Sequence, residues 1–303
     1  MDRPTLRQLE YAVAVDEFRS FSKAAVACQV SQPGLSAQVA ELARRLGVAL
    51  FERTRSATTP TPAGEEVLRR ARAILRSVDD LLHVTDVHRD TVAGVLRVAA
   101  IPTMAPYLLS AVAHQLRRLW PDVRLELSEL RTSALIEAVD HAHIDIGVLA
   151  TPVDTASLRC VDLAFDPFVL AVAESSALAG LPRIALERLA DHEILLLEDG
   201  HCLREHALAA CTLAGAAHHR EVHHTGLSVL AQMVAASDAT TLLPTSAASV
   251  EARPGSGLAV VPLDRGDIGR TVSAVWRPSD PRSALYERAM TRIAPVIASM
   301  LRD

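Results

Sequence analysis

The 303-residue chain is first defined by what it lacks. No apolar run approaches the eighteen or so residues a membrane-spanning helix needs. The N-terminus, Met1-Asp2-Arg3-Pro4, has no charged-then-apolar leader, so a cytoplasmic protein without a membrane partner is expected. A Gly-rich phosphate loop, a nucleophile elbow and any chain order of Ser, His and Asp suggesting a catalytic triad are all missing. No enzyme and no cofactor is therefore expected. Cysteine is scarce: Cys28, Cys160, Cys202 and Cys211 are the only four, and no two form a CxxC pair. In a cytosolic chain of this size that argues against a static disulfide framework. Cys202 and Cys211 alone lie close enough in sequence to suggest a working pair.

Half of the residues are apolar and 22% are charged, as in an ordinary soluble protein with room for a small and a larger domain. The net charge of −5 argues against a generally basic nucleic-acid coat. Its distribution is uneven. Residues 1–61 hold eight Arg/Lys against six Asp/Glu, and residues 91–303 hold 18 against 24. Such a head permits a local DNA-binding face.

The head reads as helical. Leu6, Leu9, Tyr11, Val13, Val15 and Phe18 make one apolar helix. Ser22 is placed as the N-cap of a short second helix over 23–28, and Gln29-Val30 as a tight break. Ser31 caps a third helix, with Pro33 tolerated in its first turn. Leu35, Val39, Leu42 and Leu46 form its buried stripe, and Gly47 ends it. Two helices joined by so short a turn, the second polar in its first turn, make a helix-turn-helix. Residues 49–55 and the Ser/Thr/Pro run after them read as a β-wing. Thr61-Pro62 opens a long helix. Along it Val67, Ala71, Ile74, Val78, Leu81 and Thr85 recur at heptad spacing, widened by Leu68, Leu75 and Leu82. Lacking a core of its own, such a seam should pair with a second copy of the chain. Beyond Asp90, strands at 95–99, 123–127, 144–149, 168–172, 194–197, 240–243 and 271–276 alternate with helices. An α/β domain with a mainly parallel sheet and two lobes is expected.

These pieces together resemble one family. Phe21-Ser22-Lys23-Ala24-Ala25, Val30-Ser31-Gln32-Pro33-Gly34-Leu35-Ser36, Leu46-Gly47 through Phe51-Glu52-Arg53, and Thr61-Pro62-Ala63-Gly64 look like the head of LysR-type transcription regulators. The similarity covers nearly the whole chain. It implies a winged helix-turn-helix DNA-binding domain over 1–61 and a dimerising linker helix over 62–90. A periplasmic-binding-protein-like regulatory domain would follow over 91–303, with lobe I at about 91–165 plus 270–303 and lobe II at about 166–269. It further implies operator DNA as partner, a homodimer extended to a tetramer, and contact with RNA polymerase. The recognition helix would present Ser31, Gln32, Pro33 and Ser36. Gln32 can bond adenine at two atoms, and Arg53 and Arg55 in the wing suit phosphates or the minor groove. Gly34 and Ala37 depart from the pattern by offering no long side chain, which puts weight on DNA shape.

Leu197-Glu198-Asp199-Gly200-His201-Cys202-Leu203-Arg204, with Cys211 nine residues after Cys202, resembles the redox loop of the hydrogen-peroxide-sensing OxyR branch of that family. Ile101-Pro102-Thr103, Thr132, Met233-Val234-Ala235-Ala236, Thr241-Leu242-Leu243-Pro244 and Arg270-Thr271 match as well. The resemblance implies that Cys202 is the peroxidatic cysteine and Cys211 the resolving one, with Thr103, Thr132, His201 and Arg270 in the peroxide pocket. Independently, His201 and Arg204 flank Cys202, and a thiolate needs such positive charge nearby. Cys28 and Cys160 are expected to be buried structural thiols. Two alternatives stand beside this reading. His201, Cys202, His206 and Cys211 lie near His218, His219, His223 and His224, a set suited to zinc or nickel. Thr103 and Thr132, at two strand-to-helix handovers, could also receive an organic anion.

Overall fold

A computed structural model describes residues 3–53, 58–89, 91–152, 157–200, 202–216, 219–223 and 225–301. It divides into two units, Met1–Val84 and Thr85–Asp303.

In the first unit, α1 (Leu6–Phe18) starts at a capping box. The Gln8 amide donates to Thr5 Oγ1 and the Thr5 amide donates back to Gln8 Oε1. Arg19, at φ 50, closes α1 in the left-handed region. The chain then enters α2 (Phe21–Ala27) at once, so Ser20, and not the expected Ser22, is its N-cap; Ser22 is already inside the first turn. Gln29, also at positive φ, makes the break before α3 (Gln32–Leu46). Ser31 caps α3 as expected, Gly47 ends it at φ 70, and Leu35, Val39 and Leu42 are buried on α1 and α2. Leu46, expected in that stripe, is instead partly exposed at the last turn. β1 (Phe51–Arg53) and β2 (Thr58–Pro60) form an antiparallel wing.

The Thr61-Pro62-Ala63-Gly64 motif has a local cause. Thr61 Oγ1 donates to the Ala49 carbonyl (2.6 Å) and accepts from the Gly64 amide (2.9 Å). A Cβ on Gly64 would lie 2.0 Å from the Leu50 carbonyl oxygen, so only glycine lets α4 (Pro62–Arg89) start against the wing. The expected seam on α4 is divided. Leu68 and Ala71 are buried, with Val67 and Leu75 beside them, in the core of the head itself. Ile74 and Leu81 are exposed. The first half of the stripe therefore does have a core within its own chain.

The second unit opens with β3 (Gly94–Ala100), a π-helical turn at Ala105–Leu109, α5 (Ser110–Leu119), β4 (Val123–Glu129), α6 (Thr132–Asp140) and β5 (Ile146–Thr151). β3 pairs parallel with β4 and β5, as helical crossovers dictate. The mainly parallel sheet expected from the alternation does not continue. β6 (Arg159–Ala173) is a fifteen-residue strand that serves both halves of the unit. It pairs antiparallel with three others: β9 (Thr241–Pro244), β10 (Leu258–Pro262) and β11 (Gly269–Trp276). β11 in turn pairs antiparallel with β5, so four of the six pairings in this sheet are antiparallel. The reason is that β11 returns from the far end of the chain and inserts between β5 and β6, a long-range event with no local signature. β7 (Ile194–Leu197) and β8 (His219–Val222) form a parallel pair. Two helices, α7 (Cys202–Ala214) and α8 (Leu227–Ala235), flank β8; α9 (Thr245–Glu251) follows β9 and α10 (Ser283–Met300) ends the unit.

A buried charge cluster fastens α10 to the sheet. Arg282 Nη2 donates to Asp145 Oδ1 (2.8 Å) and Asp280 Oδ2 (3.1 Å), and the Arg97 amide of β3 donates to Asp145 Oδ2 (2.7 Å). Removing one carboxylate from a buried set leaves an uncompensated charge. Asp145→Ala should destabilise the chain by about 3–5 kcal/mol, read as a lower urea midpoint.

Candidate functional site

Two sites are built, one in each unit. In the head, the first turn of α3 carries Gln32 and Pro33 on exposed backbone, with Ser36 half-buried behind them. Ser31 is exposed, and its hydroxyl accepts the Gly34 amide at 3.3 Å, so its first task is the cap. Arg53 ends β1; Arg55 lies outside the described residues. A cleft beside this turn is lined by residues that sequence reasoning missed, Thr5 at the cap of α1 and Arg7 and Tyr11 within it, together with Ser31, Gly34 and Gln38. Arg7 Nε donates to Tyr11 Oη (2.7 Å), and Gln8 Nε2 donates to Gln38 Oε1 (3.1 Å), which ties α1 to α3. The available signal was a polar side chain recurring on one flank of an otherwise apolar helix.

The four cysteines are free thiols, Cys28 in the first unit and Cys160, Cys202 and Cys211 in the second. Cys202 and Cys211 are buried at the start and near the end of α7. Nine residues of helix separate their Cα atoms by roughly 13 Å and turn them through about two and a half turns, to opposite faces. Cys28 is half-buried at the end of α2. Cys160 is exposed near the start of β6, against the expectation of burial.

Cys202 meets the other strands of the unit at one point. The Arg270 guanidinium of β11, the Thr132 hydroxyl at the start of α6 and the Ala150 backbone of β5 all act to favour its thiolate. Burial pushes the Cys202 thiol above the usual cysteine range, against the opposing pull of Arg270, Thr132 and Ala150. Cys211 is also pushed up by burial, and its only opposing influence comes from its own backbone. Cys202 is thus set apart from the other thiols by the cation and donors aimed at it.

Arg270 is wholly buried. Its Nη1 donates to Thr103 Oγ1 (2.9 Å), its Nη2 to the Thr103 carbonyl (3.0 Å) and its Nε to Asp166 Oδ2 (3.1 Å). Of the residues expected in the pocket, Arg270 and Thr132 act on Cys202, and Thr103 is tied to Arg270. Arg204 does not belong with them: it forms ion pairs with Glu221 and Asp199 on the far side of the loop. His201 lies outside the described residues. The loop before α7 is held from the side, since Arg131 Nη2 donates to Glu198 Oε1 at 2.7 Å. Gly200, at φ +92, supplies the left-handed turn that delivers Cys202, and a Cβ there would lie 3.2 Å from Arg131 Nη1.

Asp166 and Ala150 were missed, and neither could have been found locally. Each reaches the site only through the strand pairing that sets β11 beside β5 and β6. As for the metal reading, no three His, Cys, Asp or Glu side chains among the described residues are grouped to hold an ion. His218 and His224 lie outside those residues. No helix among the described residues is long and apolar enough to cross a membrane.

Comparison with known proteins agrees with this geometry. A model described as "Bacterial regulatory helix-turn-helix protein, lysR family" matches residues 6–65, and "LysR substrate binding domain" matches residues 89–296. The chain is 37% identical to the hydrogen peroxide-inducible genes activator of Pectobacterium carotovorum subsp. carotovorum, over 93% of each chain. It is similar to a full-length Pseudomonas aeruginosa OxyR bearing a cysteine-to-aspartate change, with TM-score 0.82 and 30% identity over 100% of this chain and 98% of that one. A hydrogen peroxide-bound cysteine-to-serine mutant of Corynebacterium glutamicum OxyR gives TM-score 0.67 and 29% identity, over 99% and 95%.

The upward shift of Cys202 has a measurable sign. Below its pKa the thiolate fraction, and with it the alkylation rate, should rise about tenfold per pH unit, without the plateau near pH 8.5 that an unperturbed cysteine shows. Thr132→Val, which removes one stabilising hydroxyl, should slow Cys202 alkylation at pH 7 several-fold. Iodoacetamide labelling followed by peptide mass spectrometry measures both.

Proposed function

The chain belongs to the LysR family of bacterial transcription regulators, and from that premise we propose that it binds operator DNA and senses hydrogen peroxide through a reversible Cys202–Cys211 disulfide, controlling oxidative-stress genes in the cytoplasm. The observation that supports this reading is a buried Cys202 acted on by Thr132 and by an Arg270 that Thr103 holds, with a second buried thiol on the same helix.

The chemistry follows from those groups. The Cys202 thiolate attacks one peroxide oxygen, the O–O bond breaks, and the departing hydroxide takes up a proton and leaves as water. Donors around the pocket, Thr132 and Arg270, favour the thiolate and the developing charge. Cys202 becomes a sulfenic acid. The Cys211 sulfur then attacks the Cys202 sulfur, displacing a second water and closing the disulfide. In sum, two thiols and one peroxide give one disulfide and two waters.

Cα atoms in a disulfide lie within about 7 Å, roughly half the spacing on intact α7. The second step therefore requires α7 to unwind, and oxidation is coupled to a change of fold. On the DNA side, Gln32 reads a base edge, Ser36 and the wing arginines Arg53 and Arg55 hold phosphates, and His201 joins the peroxide pocket. The exposed Ile74 and Leu81 of α4 support a dimer built on that helix, with tetramerisation through the regulatory units and RNA polymerase as the downstream partner.

One equivalent of peroxide should remove two thiols per chain, with Cys28 and Cys160 left free on peptide mapping. Cys202→Ser should abolish the response, whereas Cys211→Ser should consume peroxide and stop at sulfenic or over-oxidised sulfur. Persistence of both thiols in protein that still responds to peroxide in cells would end this reading. For the head, Gln32→Ala should lose about 1–3 kcal/mol of discrimination between operator variants, read by binding titrations at fixed salt; equal profiles would remove Gln32 from base reading.

A further inference from the structure

We infer that Asp166 and Ser246 are positioning residues that decide how much of the Arg270 charge is left for Cys202. The inference rests on the peroxide reading for its biological meaning, though not for its test.

The geometry is a relay of buried groups from three elements. Asp166 on β6 and Arg270 on β11 are register partners, and both side chains are fully shielded from solvent. Asp166 Oδ2 accepts from Arg270 Nε at 3.1 Å. The same carboxylate is held from behind by α9: the Ser246 amide donates to Oδ1 (3.0 Å) and the Ser246 hydroxyl to Oδ2 (2.7 Å). Thr245 fixes the start of α9 by donating from Oγ1 to the Pro167 carbonyl (3.0 Å), one residue along β6. Arg270 thus has one carboxylate bonded to it, and that carboxylate is immobilised at both oxygens.

A buried guanidinium must be answered by an anion. Two acidic groups answer Arg270 most directly, the Asp166 carboxyl bonded to it and the Cys202 thiol; the Tyr107 phenol also feels its charge, but burial favours the neutral phenol. The other charged group acting on Cys202 is Glu205 of its own helix, which opposes the thiolate; His206, one turn along α7, is half-buried and its charged form is disfavoured by burial. With Asp166 in place, part of the cation's charge is already matched and less of it is left to favour the thiolate. Weakening Asp166 as an anion hands the cation to the thiolate. Strengthening it withdraws the cation further. Ser246 sits at that control point, because a hydroxyl donated to Oδ2 draws negative charge away from the oxygen that faces Arg270. No sequence neighbour of Cys202 takes part, so reactivity would be tuned from residues 36 and 44 positions away.

The two single changes should therefore act in opposite directions. Asp166→Asn keeps an acceptor for Arg270 Nε and removes the charge, so Cys202 should alkylate about tenfold faster at pH 7, with the midpoint of its pH profile lowered by about one unit. Ser246→Ala leaves the Ser246-position amide bonded to Oδ1 and concentrates charge on Oδ2, so Cys202 should alkylate about two- to threefold more slowly, with its midpoint raised. Cys211 labelling in the same digest is the internal reference. A loosened pocket would move both variants the same way, and that result, or no shift in either, overturns the inference. If Asp166→Asn does not fold, Ser246→Ala decides alone: an unchanged or lowered midpoint overturns it. Full-length protein and iodoacetamide are used throughout, and peroxide consumption is measured in parallel. A wild-type chain that alkylates as described but ignores peroxide would refute the proposed function and leave this inference standing.

Discussion

A straight helix holds residues nine apart on opposite faces, and α7 carries Cys202 and Cys211 at that spacing. Each thiol is consequently buried in a different neighbourhood. Cys202 is acted on by groups of α6, β5 and β11, whereas Cys211 lies in the apolar core and is shifted chiefly by burial. Everything else at the site follows from this division. The loop before α7 must aim one sulfur without disturbing the other, which is why Gly200 takes a left-handed turn and Arg131 braces Glu198. The body of α7 packs on β7, β11 and the short 3-10 turn at Leu186–Asp191, largely through small residues such as Ala207 and Ala210. Alanine-lined contacts bury less apolar surface than leucine ones, so such a helix detaches at lower cost than a leucine-rich one.

Much of the head was legible because its signals are local. Ser31 and Gly47 bound α3 where capping chemistry requires, and the Thr61-Pro62-Ala63-Gly64 motif resolves into a cap and a close approach to Leu50. The displaced cap of α2 is a two-residue error of a local rule: α1 ends at Phe18 as read, and α2 begins directly after Arg19 and Ser20. Misreading the sheet has a different origin. Strand–helix alternation is a true guide up to β5, after which β6 and β11 pair across more than a hundred residues. The same blindness hid Asp166 and Ala150. Thr103 and Thr132 were visible from the family resemblance and from their place at strand-to-helix handovers, and Arg204, chosen for its nearness to Cys202 in sequence, turns away to Glu221. Adjacency in sequence is a poor guide to adjacency around the first turn of a helix, where consecutive side chains point about 100° apart.

The linker helix shows one stripe serving two purposes. Its first turns complete the core of the head through Leu68 and Ala71, and only later turns expose Ile74 and Leu81. Heptad periodicity alone cannot tell these segments apart, since both demand the same spacing. The head's fold and the exposed seam therefore share one rigid rod. A change in how the seam packs would be transmitted to the wing and α3 without any hinge inside the head.

The long strand β6 also has a consequence for how the molecule opens. Its backbone is hydrogen-bonded to β9, β10 and β11, so it sits in the most cross-linked part of the ladder. Amides there exchange with solvent only when the whole unit unfolds. Those of α7, which belong to no ladder, can exchange through local opening at a fraction of that free energy. On this pairing, β6 and α7 should behave as two foldons of unequal stability. Slow exchange along β6 and fast exchange along α7 would let the thiol-bearing segment melt and re-form many times within the lifetime of one folded scaffold.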